Sequence, residues 1–329
     1  MTKTNQQKVK DFLINNGVII VMFILVIYTG FTSDNFFTKN NFMNILMNMS
    51  SRLVIALGIA GCVITAGCDL SAGRMIGFGA CISGMLLQRM DYSGKFFPDM
   101  QPLNVFVVAL IAMLVCAAFG TVTGFFIAYL NVPPFIATLA MMEIVYGIGL
   151  IVTNATPLGG YVEQYTNVSN GKFLGINYLI WIAIIVAAIT WFIFNMTRHG
   201  KYMYAIGGNP QAAEVAGVPV KATLILIYMK AAAMYGLAGF MLGAKAGGAS
   251  VQLGYGYEME AIAACTIGGV SVNGGIGRIS GVIIGVLVFE FLKTCLQFLG
   301  IDPNYQYIAQ GIVIVVAIAL DIRKYIAKK

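Results

Sequence analysis

The chain has 329 residues, of which 59% are hydrophobic and only 10% are charged. Soluble domains carry about 25% charged residues, so a chain this poor in charge cannot cover a water-facing surface and must offer much of itself to lipid. The net charge of +7 comes from basic residues spread along the chain, not gathered in one patch, which argues against a nucleic-acid partner.

Residues 1–16 read as a polar, basic tail, and the first apolar run starts at Gly17. No small-residue cleavage site follows it, so a retained first helix is expected rather than a signal peptide. Apolar segments then recur at about 17–31, 43–66, 73–90, 103–130, 134–153, 178–196, 221–244, 258–273, 279–299 and 307–322. About 20 apolar residues suffice for a helix to cross the hydrocarbon core. Segments 73–90 and 258–273 are short and interrupted by glycine. With the N-terminus inside, inner segments hold Lys3, Lys8, Lys10, Arg74, Arg198, Lys201, Lys221, Arg278, Arg323, Lys324, Lys328 and Lys329. Outer segments hold only Lys39, Arg89, Lys95, Lys172 and Lys245. This asymmetry follows the positive-inside rule and puts both termini in the cytoplasm. The reading is an all-α polytopic membrane protein of about ten transmembrane helices. It forms a single domain over 1–329, with cytoplasmic tails at 1–16 and 323–329 and a cytoplasmic loop at 197–220.

The glycine pairs Gly120/Gly124, Gly239/Gly243 and Gly281/Gly285 have GxxxG spacing. In hydrocarbon, such pairs let helix backbones approach closely, and packing within one bundle is favoured over a dimer seam. The six cysteines (Cys62, Cys68, Cys81, Cys116, Cys265, Cys295) fall in or beside apolar runs without a CxxC pair, and read as small packing residues.

Enzymatic readings find little support. His199 is the one histidine, which removes the common zinc and Ser-His-Asp arrangements, and it reads as a solvated loop residue. There is no GxxxxGK[ST], so the chain does not hydrolyse ATP through a P-loop. The run NGGIGRISG (Asn273 to Gly281) lacks GxGxxG spacing and reads as a membrane turn. No catalytic residue and no metal ligand set are expected. The intramembrane charges say more: Arg52, Glu143, Lys230, Glu290 and Lys293 lie within apolar segments. A charge at a helix centre costs about 2.5–3.5 kcal/mol on insertion scales, so each should pair or face a wet cavity. Glu290 and Lys293 are three apart on one helix face and can neutralise each other. The functional alternative is an ion-coupled path with Glu143 or Glu290 as proton carrier.

In GCDLSAGR (Gly67 to Arg74), the glycines permit a sharp break, and Asp69 with Ser71 can cap the amides of the next helix. A broken helix within a membrane is tolerated only where it is buried in protein or lines a cavity, so a simple cap and a permeation path both stand. The residues considered as lining such a path are Asp69, Ser71, Glu143, Glu260 and Asn273. In YAIGGNPQAAEVAGVPV (Tyr204 to Val220), Asn209 suits an N-cap, Pro210 the first helical position and Gly217 the position past the end. Pro219 then blocks continuation. A two-turn helix from Pro210 to Ala216 is predicted, with Ala212, Ala213 and Ala216 leaving a smooth face suited to a groove on a partner; an ordinary interfacial loop helix is the alternative.

Four stretches in order resemble the membrane permeases of sugar ABC importers of the ribose, xylose and galactose group: GCDLSAGR, AYLNVPPFIATLA (Ala128 to Ala140), AIGGNPQAAEVAGV (Ala205 to Val218) and YEMEAIAACTIGGVSVNGGIG (Tyr257 to Gly277). The ending IDPNYQYIAQGIVIVVAIALDIRKY (Ile301 to Tyr325) is most similar to the galactose/methyl-galactoside members, and the similarity runs from about Ser33 to the end. The resemblance implies a type II-like ABC importer permease in a bacterial inner membrane. Two copies would form the pore, and a cytoplasmic ATPase would carry ATP and Mg. An extracytoplasmic binding protein would deliver the sugar to the outer loops, including 91–102 and 154–177. No cofactor is expected in this chain. The GNPxAAxxAG stretch resembles the segment that docks in the ATPase, which carries coupling onto Gly208, Asn209, Pro210, Ala213, Glu214 and Gly217. Cys68 departs from the threonine or aliphatic residue usual in related permeases and leaves Asp69 and Ser71 intact.

Overall fold

The computed structural model describes residues 5–326, so the expected tails lie outside the described residues at 1–4 and 327–329. The described residues form thirteen helices, in order α1 (Asn5–Thr32), α2 (Lys39–Ile64), α3 (Ala72–Leu86), α4 (Val105–Tyr129), α5 (Pro134–Thr153), α6 (Glu163–Asn170), α7 (Tyr178–Met196), α8 (Arg198–Gly208), α9 (Pro210–Val215), α10 (Val220–Ala246), α11 (Tyr257–Ile267), α12 (Ile279–Phe298) and α13 (Pro303–Ile326). Each expected apolar segment holds a helix. Helix α1 starts at Asn5 and α13 runs to Ile326, so both helices continue into the segments read as tails. The expected 258–273 segment is also corrected: α11 stops at Ile267, and a turn takes over because Gly269, Gly274 and Gly275 adopt positive φ.

Side-chain caps place several boundaries. Thr38, Asn104, Asn177 and Thr197 each accept a backbone amide at the start of α2, α4, α7 and α8. Pro134 opens α5, and α10 ends on left-handed Gly247.

Six helices among the described residues are long and apolar enough to cross a membrane: α2, α4, α5, α7, α10 and α12. Their hydropathy runs against their burial. The most apolar, α4, has 22% of its apolar window buried, whereas α2, with a mean hydropathy of 1.6 against 2.7, has 83% buried. In water the buried helix would be the more apolar one. The reversed order is what lipid demands, since outward faces must be apolar while inward faces are free to carry polar groups. The chain is a multi-pass membrane protein.

The interior is built around α2, α3 and α10, with α4 laid against α10. The glycine pairs make these contacts within the bundle. A Cβ on Gly120 would stand 2.4 Å from the Tyr228 carbonyl oxygen, and one on Gly124 would stand 2.7 Å from the Ile225 Cα. Gly239 meets α3, and Gly281 and Gly285 meet the end of α11. Gly120→Val is therefore expected to force α4 off α10 at a cost of about 1–3 kcal/mol. A thermal melt of the detergent-purified protein checks this, and an unchanged midpoint would rule out the close approach. All six cysteines are unpaired, and all but Cys68 are buried.

At the bundle end holding the α5–α7 connection, α6 lies across α10: Tyr165, fully buried, donates through its hydroxyl to the Phe240 carbonyl (2.7 Å). A two-stranded hairpin, β1 (Lys172–Phe173) and β2 (Ile176–Asn177), pairs Phe173 with Ile176. Bridges Gln88–Tyr161 and Leu158–Ala249 tie this connection to the loops after α3 and α10. At the opposite end lie α8 and α9.

Candidate functional site

Two features stand out, one at the α8–α9 end and one in the middle of the bundle. At the end, α7 turns sharply into α8 because Gly200 packs directly on the Phe194 carbonyl. Met203 and Ile206 of α8 are buried, Gly207 lies on the Ile64 carbonyl at the end of α2, and the Tyr204 hydroxyl donates to the Gly277 carbonyl (3.0 Å). Helix α8 is thereby fixed to the bundle and anchors α9. His199 is not the solvated residue expected; it is half-buried against Lys230. Burial first, then the Lys230 charge, lower its pKa to about 4, so it is neutral near pH 7.

Helix α9 forms as predicted, one residue shorter. Asn209 Oδ1 accepts the Ala212 amide (2.9 Å) and Pro210 takes the first helical position. Gly217 adopts φ +82°; its amide donates to the Glu214 carbonyl, and that of Val218 donates to the Ala213 carbonyl (both 3.0 Å). Gly208, Asn209, Pro210, Glu214 and Gly217 are exposed. Ala213 is not: at 5% exposure it faces inward, which corrects the smooth outer face predicted from Ala212, Ala213 and Ala216. The outward apolar contact is Val215, at 91% exposure. A valine beside the helix's one charged residue was the available signal.

In the middle of the bundle two chain breaks meet. After Ile64 the chain turns back through residues 65–71, so that α3 starts beside the centre of α10. Asp69 and Ser71 are buried at 1% and 0% exposure. Asp69 accepts from the Ser71 amide (3.0 Å), the Ser71 hydroxyl (2.5 Å) and the Tyr235 hydroxyl (3.2 Å). Of the two expected caps, Asp69 takes an amide; the Ser71 side chain does not, because its hydroxyl is spent on Asp69. Residues 247–256 likewise dip back from the end of α10 to reach Gly73 and Gly77, and α11 starts there. Arg74, read from the sequence as an end-of-segment charge, therefore lies midway along the bundle. Its guanidinium lies 4.0 Å from the Tyr146 ring centre, midway along α5, and 4.5 Å from that of Tyr255.

Four further charges within the apolar segments, Arg52, Glu260, Glu290 and Lys293, form one network. Arg52 of α2 binds Glu290 of α12 and, through Nε, Glu260 of α11 (3.3 Å). Glu260 also takes Lys293 (2.5 Å). The expected pairing of Glu290 with Lys293 along α12 is corrected: each is drawn to a different neighbouring helix, because Arg52 and Glu260 also need partners. The Tyr257 ring lies against both Arg52 (5.2 Å) and Lys293 (5.7 Å). Two cations and two anions leave the network neutral. Beside it opens a cavity of about 480 Å³, lined by Arg52, Tyr255, Glu260, Lys293, Gln306 and Gln310 among others. Of the remaining residues considered as path lining, Glu143 is exposed on α5 and Asn273 is exposed in the turn near the α8–α9 end.

This arrangement keeps its Ser71–Asp69 hydroxyl–carboxylate pair buried inside the bundle. It has re-entrant segments, a neutral polar interior and an anchored outer helix, as in proteins that move solutes. Residues 41–318 match the family described as branched-chain amino acid transport system / permease component. The chain belongs to this family. Among relatives of this transport family, the galactose/methyl galactoside import permease protein MglC of Escherichia coli K12 is 40% identical over the full length of both chains. The protein of that name from Haemophilus influenzae is 41% identical, also over the full length of both. The ribose import permease protein RbsC of Escherichia coli K12 is 34% identical over 96% of each chain. No solved structure matches the chain.

Proposed function

We propose that the chain is the membrane permease of an ATP-driven sugar importer, with galactose or a methyl galactoside as its substrate. The observation that carries the reading is full-length similarity, at 40% identity, to permeases named for that import. The ten apolar segments make ten crossings in this reading, and the distribution of basic residues supports both termini and α9 in the cytoplasm. The chain works as a pair of copies enclosing the path. A separate ATPase supplies ATP and Mg, and an extracytoplasmic binding protein delivers the sugar to the end capped by α6 and the hairpin. ATP binding moves α9, and α8, packed on the end of α2, passes the motion to the two chain breaks. The permease itself holds sugar weakly, since tight binding slows release. Ribose is the runner-up substrate, favoured by the 34% identity to a ribose permease.

Proteoliposomes holding the chain with its ATPase and binding protein are expected to accumulate labelled galactose only with ATP, and to continue when a protonophore is added. Accumulation without ATP would sink the importer reading and return Glu143 and Glu290 to consideration as proton carriers.

A further inference from the structure

The cluster around Arg74 has features that packing alone does not explain. Its guanidinium is held between the Tyr146 and Tyr255 rings, and Nη1 donates to Gln252 Oε1 (2.7 Å). Gln252 Nε2 in turn reaches the Tyr146 hydroxyl (2.8 Å). Below them, Glu258 is only 4% exposed, and its Oε2 has no hydrogen-bond partner among the described residues; the buried Arg74 Nε is likewise unpartnered. A buried donor and a buried acceptor left open cost about 1–3 kcal/mol each, and water or a polar ligand can satisfy them. Above them, Gln252 is exposed and Tyr255 is 62% exposed, with Tyr255 also lining the 480 Å³ cavity.

We propose that Tyr255, Gln252 and Arg74 form the transient contact site for the sugar midway through the membrane, with Tyr255 as its stacking platform. The inference rests on the sugar-importer reading and names the residues that serve it. An open aromatic face suits the C–H face of a pyranose. Gln252 offers a donor and an acceptor, and Arg74 a planar pair of donors, which fit adjacent hydroxyls. The cluster holds one basic and one acidic side chain, Arg74 and Glu258, and the neighbouring network is neutral, so the site takes an uncharged polyol in preference to an ion. The two open atoms are available to each other or to the sugar when the half-helices α3 and α11 shift. The platform sits on a re-entrant segment, not on a rigid helix, which keeps its hold weak.

The test uses the full complex in proteoliposomes, with sugar uptake (labelled galactose, methyl galactoside or ribose) and ATP hydrolysis measured on the same vesicles. Tyr255→Leu and Gln252→Ala are expected to lower uptake by about tenfold or more while ATP hydrolysis stays within about twofold. Tyr255→Phe keeps the ring and is expected to retain uptake within about threefold. Equal uptake by the Leu and Phe variants overturns the stacking platform. Parallel loss of uptake and hydrolysis makes the cluster structural and also overturns it. Should Tyr255→Leu fail to assemble, Gln252→Ala, at an exposed position, decides: normal uptake overturns the site. If the unaltered complex accumulates none of the three sugars with ATP, the importer reading itself falls.

Discussion

Arg52→Leu is expected to destabilise the bundle by about 3–5 kcal/mol, because it leaves Glu260 and Glu290 facing one remaining cation, Lys293, inside the membrane. Removing one member of a largely buried ionic group leaves its partners short of a counter-charge. The thermal midpoint of the detergent-purified protein should drop well below that of Glu143→Gln, a change at an exposed carboxyl on α5. Combining Arg52→Leu with Glu290→Leu should cost less than the two single changes summed, since the pair share the interaction being lost. Equal midpoints for Arg52→Leu and Glu143→Gln would show that the network adds nothing to the fold. The same pairing bears on mechanism: Glu290 already holds a permanent cation, which argues against its use as a proton carrier.

Gly217→Pro and Val215→Asp are expected to abolish most sugar accumulation, by about tenfold or more, while the protein still assembles in the membrane. Proline cannot adopt the φ of +82° found at Gly217, and it removes the amide that bonds to the Glu214 carbonyl. Val215, almost fully exposed, is the apolar contact that α9 presents outward, and an aspartate there would place charge in an apolar groove. ATP hydrolysis by the assembled complex should persist without driving uptake, and Glu214→Arg should act in the same direction. The measurement is the ratio of sugar moved to ATP hydrolysed. Were that ratio unchanged in all three variants, α9 would not be the coupling element.

Local features were the most legible. Asn209, Pro210, Gly217 and Pro219 announce a short capped helix because caps and breakers act within a few residues of themselves. The glycine breaks at 67–73 and 268–277 were visible for the same reason. The inward turn of Ala213 was not, since a helix wheel of small residues leaves open which side meets the protein. Helix α8 was missed because glycine and tyrosine weaken its helical signal and its stability comes from packing Met203 and Ile206 on the bundle.

The sequence by itself determined that the chain lives in lipid, that its apolar runs are helices and that a capped helix sits in its long loop. Each follows from composition or from neighbours within a turn of chain. Only the tertiary structure decided which charges meet. Glu290 and Lys293 look like partners along one helix, yet Arg52, 238 residues from Glu290, takes the first, and Glu260 the second. Arg74, in the first turn of α3, lies in the middle of the bundle because the Gly67–Gly73 break folds the chain back on itself. Coulomb attraction depends on distance in space, and in a bundle of re-entrant helices that distance is set by packing rather than by position along the chain.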